Sequence, residues 1–184
     1  MLTIWGRATS MNVQAVMWTV AELELEHRRI DWGGRFGGND DVNYRARNPH
    51  GLIPTLEDNG VVVWESPAIV RYLGARYGRG AFWPEDPGIR APLDMWAEWA
   101  RSSLYPPLVR ICRQLIFTRE AQRDMRDVAN AAEALINLLP RLEQRLGDGP
   151  WMGGEDLSFA DVMLGHLFHR YMTLDFSKAP TPAI

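Results

Sequence analysis

Two serines stand where a hydroxyl group and a free helix end could act together on an anion. Ser10 precedes a helix-like run that begins at Asn12, and Ser66 stands between Glu65 and Pro67 at the start of a later run. The first amides of a helix have no intrahelical acceptor, and the positive end of its dipole favours negative charge. Serine is also a common helix cap, and proline is favoured at the first helical position. The two positions therefore indicate either structural caps or an anion-binding site.

The other reactive side chains predict no further chemistry. His166 and His169 could share one helix face, but no further residues with metal-ligand spacing accompany them, so we predict no metal site. Cys112 is the single cysteine and lies within an apolar helical pattern. It cannot form an internal disulfide, and nothing calls for an oxidising compartment. We predict an inert thiol.

Composition is typical of a globular protein. The 184 residues are 46% hydrophobic and 23% charged, which permits a sizeable core and argues against disorder. The net charge of −3, with acids and bases mixed, argues against nucleic acid as a partner. No apolar run reaches the roughly 18 residues of a membrane span, and the N-terminus lacks the pattern of a signal peptide. We expect a cytoplasmic protein with no membrane partner.

The first part of the chain is predicted to mix strands and helices. Apolar residues recur three and four apart from Asn12 to Leu25, which predicts a helix with one apolar face. Asn59-Gly60 between two β-rich runs predicts a hairpin. The predicted elements are, in order, a strand over 2–5, that helix, a strand over 27–32, a glycine loop over 33–38, the hairpin, and a helix capped by Ser66 that extends to Gly78.

The second part is predicted to be helical throughout. The stretch over 79–88 is rich in glycine and proline and predicts a linker. Helical patterns cover 90–117, where Pro106-Pro107 is expected to interrupt the helix, and 120–146. Ser158 and Asp161 then form a capping-box variant, with Asp in place of the usual Glu. We assign Asp161 to folding rather than to chemistry.

Four segments together resemble the glutathione transferase family, particularly its bacterial, theta-like, serine-type members. They are SMNVQAVMWTVAELELEHRRID, NPHGLIPTLEDNG, WESPAIVRYL and GGEDLSFADVML, and they occur in family order and spacing across nearly the whole chain. The resemblance implies an α/β thioredoxin-like N-terminal domain plus an all-α C-terminal domain. The implied boundaries are 1–78 for the glutathione-binding domain, 79–88 for the linker and 89–184 for the helical domain.

The resemblance also implies how glutathione is held, as a co-substrate without a metal. Ile53-Pro54 resembles the family's cis-proline step, which turns the Ile53 backbone outward to pair with the cysteinyl part of glutathione. Glu65 would accept the ammonium group, and Ser66 would bind the γ-glutamyl carboxylate with its amide and hydroxyl. Without a ligand, the same residues would be a proline that starts an edge strand and an ordinary capped helix.

The sulfur end of the implied site has three candidate residues. A free thiol titrates near pH ~8.5, so a donor is needed to stabilise the thiolate at neutral pH. Ser10 is the expected donor, with Thr9 and Asn12 as alternatives, and Asn12 is also expected to contact glutathione. The loop contains neither tyrosine nor cysteine, which excludes a tyrosine-type site there and disfavours mixed-disulfide chemistry.

One position departs from the family pattern. The family often has Lys, Arg or Gln before the Ile/Val-Pro pair to reach the glycine carboxylate, whereas this chain has Leu52. His50 or Arg35 is expected to compensate, although His50 also suits a solvated turn. The chain stops at Ile184, where family members usually continue with further helix. Either the sequence is cut short or this member lacks that cover.

The implied reaction is conjugation of the glutathione thiolate to a hydrophobic electrophile, in a detoxifying homodimer. An acceptor pocket is expected between the first loop and the long helices, and its expected residues are Arg7, Met11, Trp99, Tyr105 and Leu108. A glutathione-dependent peroxidase or reductase would use the same site. A non-catalytic binding protein is the other alternative, because fold does not fix function.

Overall fold

The computed structural model describes residues 1–147 and 149–181. The chain divides into two compact units, Met1–Trp83 and Pro84–Ile184. Strands occur only in the first unit within the described residues, and the second unit is helical.

A four-stranded sheet forms the centre of the first unit within the described chain, in the order β2-β1-β3-β4. β1 pairs parallel with β2 and antiparallel with β3, which pairs antiparallel with β4. The strands are β1 Leu2–Trp5, β2 His27–Ile30, β3 Thr55–Asp58 and β4 Val61–Trp64. A parallel pair needs a crossover connection, and helix α1, Met11–Glu22, supplies it. The predicted thioredoxin-like arrangement is confirmed.

Two helices cover the sheet and form the core of this unit. α1 packs against α3, Ser66–Tyr77. The buried cluster joins both helices to β1 and β3 through Leu2, Ile4, Val16, Val20, Leu56, Ile69 and Leu73. The apolar spacing that predicts α1 is therefore the face that the helix buries.

A short helix, α2, Val42–Arg47, lies in the polar stretch for which the sequence predicts no helix. Only Tyr44 of this helix is buried, so no apolar period marks it. The Asp41 carboxylate caps it by accepting from the Tyr44 amide at 2.8 Å. The strand predicted to reach Trp32 ends at Ile30, and the glycine loop contains one 3₁₀ turn, Gly34–Phe36.

The predicted cap at Ser66 is wrong, whereas the predicted cap position of Ser10 is confirmed. Ser66 is the first residue of α3 rather than its cap, because the chain turns at Glu65 and the Ile69 amide donates to the Glu65 carbonyl at 2.9 Å. Ser10 does occupy the cap position of α1, with extended backbone angles, but its hydroxyl makes no capping hydrogen bond. Neither serine hydroxyl therefore caps its helix, although the sequence allows both to do so.

The second unit consists of helices joined by short irregular segments. They are α4 Pro87–Trp99, α5 Tyr105–Cys112, α6 Met125–Leu146 and α7 Phe159–Thr173. π-helical turns follow α4 at Ala100–Leu104 and follow α5 at Arg113–Phe117. Pro106 and Pro107 lie in the first turn of α5, where missing amides cost least, so the predicted interruption occurs just before them.

The predicted capping box is confirmed at the start of α7. Asp161 is 6% exposed and accepts from the Ser158 amide at 2.8 Å, the Ser158 hydroxyl at 2.7 Å and the Met152 amide at 2.6 Å. Its carboxylate therefore joins the preceding loop to the helix. No helix in the described part of the chain is long and apolar enough to cross a membrane.

Candidate functional site

A tight turn after β1 presents Ser10. The Ser10 amide donates to the Arg7 carbonyl at 3.1 Å, and the Ser10 carbonyl accepts from the Gln14 amide at 2.9 Å. The half-buried Ser10 hydroxyl has no hydrogen-bond partner among the described residues. It is therefore available to donate to an anion placed at the N-terminus of α1.

The Ile53–Pro54 peptide bond is cis, as the family resemblance implies. Pro54 is buried and Ile53 is half-buried, immediately before β3. The carbonyl of the preceding residue, Leu52, accepts from the Tyr44 hydroxyl at 2.6 Å and from the Asn48 side-chain amide at 2.9 Å. Two side chains from α2 and its C-terminal end thus hold the backbone that enters the cis bond.

A chain of hydrogen bonds extends this support to β3. The Asn48 amide also donates to the Thr55 hydroxyl at 3.1 Å, and the hydroxyls of Thr55 and Tyr44 are 2.9 Å apart. Because Tyr44 uses its hydrogen on Leu52, the Thr55 hydroxyl donates to Tyr44. Burial raises the pKa of Tyr44 above its ordinary value, so its hydroxyl keeps its proton and remains a donor.

A glycine closes the other side of this loop. The Gly51 amide donates to the Asn48 carbonyl at 2.9 Å, and the Asn39 side-chain amide donates to the Gly51 carbonyl. Gly51 has φ of 63°, and a Cβ there would stand 2.5 Å from the Asn39 carbonyl oxygen. Only glycine fits, which explains why the Asn48-Pro49-His50-Gly51 turn ends in glycine.

Glu65 and Ser66 stand at the start of α3. Glu65 is exposed and has φ of 69°, in the left-handed region that costs energy for a residue with a side chain. Ser66 is 6% exposed, and its hydroxyl has no partner in the described part of the chain. Its amide is one of the unpaired donors of the first helical turn. The arrangement suits a carboxylate at Ser66, with an acidic group beside it for a cation.

The residues expected to compensate for Leu52 lie apart from each other. Leu52 is 58% exposed. The exposed His50 ring packs edge-on against Trp64 with centroids 4.9 Å apart. The Arg35 guanidinium lies 4.8 Å from the centroid of the Phe36 ring in the glycine loop.

The residues predicted for the acceptor pocket are divided between the two units. In the first unit, Arg7 and Met11 are half-buried on either side of Ser10. In the second, Trp99 packs edge-on against Trp96 at 5.1 Å, and the Arg101 guanidinium lies 5.4 Å from the Tyr105 ring. Leu108 is 2% exposed and belongs to the core of the helical unit, so its side chain offers almost no free surface.

Comparison with known proteins assigns the family. Residues 1–75 match the family model described as glutathione S-transferase, N-terminal domain, and residues 122–182 match its C-terminal domain. The glutathione S-transferase GstB of Escherichia coli K12 is 33% identical over 184 residues, 99% of this chain and 88% of that protein. The chain belongs to the glutathione S-transferase family. The predicted family and transferase class are confirmed.

Solved structures agree with this assignment. A theta class glutathione S-transferase from Xanthomonas axonopodis pv. citri, determined with glutathione bound, is 36% identical and superposes with a TM-score of 0.93, over 99% of this chain and 87% of that one. Glutathione transferase F2 from Populus trichocarpa is 25% identical with a TM-score of 0.86, over 94% and 83% of the two chains. The fold predicted from the sequence is that of a glutathione transferase.

His166 and His169 of this glutathione transferase differ in burial and do not form a pair. His166 is 7% exposed, and its Nδ1 lies 2.9 Å from the Val162 carbonyl, whereas His169 is exposed. Burial lowers the pKa of His166 from 6.5 to about 4, so the ring is neutral and donates through Nδ1 at neutral pH. Within the described residues, no three His, Cys, Asp or Glu side chains group as metal ligands would.

Sequence reasoning missed the supporting residues of the cis-proline loop in this transferase. Tyr44, Asn48 and Thr55 carry no recognisable catalytic pattern, and their connection depends on a helix that the apolar period does not reveal. Among these residues only Asn48 belongs to a recognisable sequence pattern, because the Asn48-Pro49 dipeptide favours a turn.

Proposed function

We propose that this glutathione transferase holds glutathione along the first unit, from Ser66 past Ile53 to Ser10, and conjugates its thiolate to a hydrophobic electrophile. The observation that carries the proposal is the Ser10 hydroxyl, half-buried at the start of α1 and without a hydrogen-bond partner among the residues that the structure describes. A hydroxyl in that position is suited to an external acceptor.

The sulfur chemistry follows from that geometry. The Ser10 hydroxyl donates to the sulfur, and the N-terminus of α1 adds favourable partial charge, so the thiol loses its proton nearer neutral pH. The thiolate then attacks the electrophilic carbon, forming an S–C bond as the leaving group departs with its electron pair. Ser10 keeps its own proton throughout. Catalysis comes from thiolate stabilisation and from holding both reactants together.

The remaining contacts orient the tripeptide. Ser66 binds the γ-glutamyl carboxylate through its amide and hydroxyl, and Glu65 accepts the ammonium group. The Ile53 backbone pairs with the cysteinyl amide as an added strand would. The hydrogen bonds from Tyr44 and Asn48 to Leu52 support this proposal, because they fix the backbone immediately before Ile53.

The wider setting is part of the same proposal. A homodimer, a cytoplasmic location and a role in detoxification agree with membership of the family. A glutathione-dependent peroxidase or reductase would use the same glutathione site with a different acceptor. A protein thiol is not part of that alternative, because Cys112 is 6% exposed and burial raises its pKa.

The test is calorimetric titration of the purified protein with reduced glutathione, followed by conjugation to an aryl halide. Ser66→Ala should weaken binding about tenfold, the cost of the single charge-assisted hydrogen bond that the Ser66 hydroxyl can donate. Ser102→Ala is the matched control, since the exposed Ser102 hydroxyl donates to backbone carbonyls one turn earlier, at Glu98 over 2.9 Å and at Trp99 over 3.4 Å. No binding at millimolar glutathione would refute the proposed site, and binding without turnover would refute the conjugating function.

A further inference from the structure

Arg7 is a half-buried cation on the Ser10 turn, and no acidic side chain of the described residues pairs with it. Other arginines of the first unit do have carboxylate partners. Four such pairs are Arg29–Asp31 at 2.5 Å, Arg45–Asp40 at 2.6 Å, Arg47–Glu57 at 3.3 Å and Arg76–Asp58 at 3.3 Å. A partly desolvated guanidinium without a partner is costly, so its presence calls for an anion from elsewhere.

The position of the Arg7 side chain is set by two glycines. Its Cδ, Nε and Cζ atoms lie 3.3–3.4 Å from where a Cβ of Gly34 would stand. The preceding Gly33 lies against Ile53 in the same way, with the Ile53 Cδ1 atom 3.1 Å from its Cβ position. Gly34 has φ of 58°, so a side chain there would be strained as well as crowded against the arginine.

These contacts place Arg7 between the two parts of the proposed glutathione site. Its backbone begins the turn that ends at Ser10, and its side chain lies along the glycine pair that touches Ile53. The planar guanidinium can donate two parallel hydrogen bonds to one carboxylate, which suits it to that group above others.

We propose that Arg7 binds a substrate carboxylate in the transferase site, an inference that rests on the proposed function and deepens it. Two sources share this chemistry. One is the glycine carboxylate of glutathione, for which Leu52 supplies no charge. The other is a carboxylate on the acceptor, which would make acidic electrophiles a preferred substrate class.

The experiment has one arm for each source and uses Arg7→Gln, Arg7→Lys and wild-type protein. The first arm compares the calorimetric affinity for glutathione with that for its glycine ethyl ester. The second compares kcat/KM for 4-chloro-3,5-dinitrobenzoate with that for its methyl ester, where the thiolate displaces chloride in both. Arg28→Gln is the matched control, since Arg28 is an exposed cation of the same unit, on β2, with no role in the proposed site.

The wild type is expected to prefer the free carboxylate about tenfold or more in at least one arm. Arg7→Gln should abolish that preference, Arg7→Lys should keep part of it, and Arg28→Gln should leave it unchanged. If Arg7 had only a structural role, its replacement would lower the affinity or the kcat/KM equally for the free carboxylate and for its ester. Wild-type indifference in both arms, or a preference that survives Arg7→Gln, would overturn the inference. Failure of the wild type to bind glutathione at all would instead overturn the proposed function, and the inference with it.

Discussion

The hydroxyl of Tyr44 donates to the carbonyl oxygen of Leu52 over 2.6 Å, one residue before the cis peptide bond. Tyr44 is the only residue of α2 that is buried, and its ring packs against Trp32 with centroids 5.0 Å apart. The short helix therefore has a definite task in this fold. It anchors the loop from which Ile53 presents its backbone.

Replacing Tyr44 with Phe tests that task. The variant keeps the buried ring but loses the hydrogen bonds to Leu52 and Thr55, so the free energy of unfolding should fall by about 1–2 kcal/mol. Glutathione affinity, measured by calorimetry, should fall several-fold because the Ile53 backbone is less well held. Tyr77→Phe is the control, since the Tyr77 hydroxyl donates at 2.6 Å to Asp58, away from this loop. Equal affinity in both variants would contradict the anchoring role.

Ser10→Ala separates chemistry from capping. The Ser10 hydroxyl makes no capping bond, so the free energy of unfolding should change by less than about 0.5 kcal/mol. Asp124→Ala should cost about 1 kcal/mol, because the Asp124 carboxylate caps α6 by accepting from the Arg126 and Asp127 amides. Urea unfolding measures both values. Conjugation by Ser10→Ala should fall at least tenfold in kcat, with glutathione affinity little changed. Unchanged turnover would move the role to Thr9 or Asn12.

The strands and the principal helices were predictable because local patterns specify them, whereas the cis Ile53–Pro54 bond was expected only from the family resemblance. The Asn59-Gly60 turn fixes its hairpin, and the spacing of Val13, Val16 and Val20 identifies the buried face of α1. No periodic apolar pattern marks α2, which has a capping carboxylate and one buried tyrosine instead of an apolar face. That helix is specified by tertiary contacts, which a local pattern does not record.

The candidate site was only partly predictable for a similar reason. Ser10 and Ser66 could be located at helix starts, but whether a serine hydroxyl caps its helix depends on a rotamer and on one backbone angle. Glu65, with φ of 69°, is the cap residue, one position earlier than predicted. The residue types in Glu-Ser-Pro do not predict this backbone angle. That Arg7 has no carboxylate partner among the described residues is likewise a three-dimensional fact, since the first acidic residue of the chain is Glu22 and any partner would have to come from another part of the fold.

Asp161 is expected to stabilise the helical unit strongly without affecting the chemistry. Asp161→Ala leaves two backbone amides and the Ser158 hydroxyl without their acceptor in a buried position. The free energy of unfolding should fall by about 2–3 kcal/mol, more than for the exposed cap Asp124. The kcat of the folded fraction at low temperature should match the wild type. A variant as stable as the wild type would contradict the assignment.

His166 should make stability fall in mildly acidic solution. Its pKa is 6.5 when unfolded and about 4 when folded, so the unfolded chain binds the proton first. The free energy of unfolding that depends on neutral His166 is fully present above pH 6.5. It is lost progressively as the pH falls towards 4, by about 3 kcal/mol in all. Urea unfolding between pH 7 and pH 5 should show this slope. His166→Gln should flatten it, and exposed His169→Gln should retain it. Identical slopes in the wild type and His166→Gln would exclude the effect.

The burial of Cys112 has a consequence for endurance. A catalyst that gathers reactive electrophiles beside a sulfur nucleophile risks being alkylated by its own substrates. Here the single protein thiol is 6% exposed, and burial raises its pKa, so little thiolate forms there at neutral pH. The sulfur of bound glutathione is then the most nucleophilic sulfur within reach of the acceptor. Self-inactivation through cysteine is thus suppressed, and the protein's working lifetime is set by other residues.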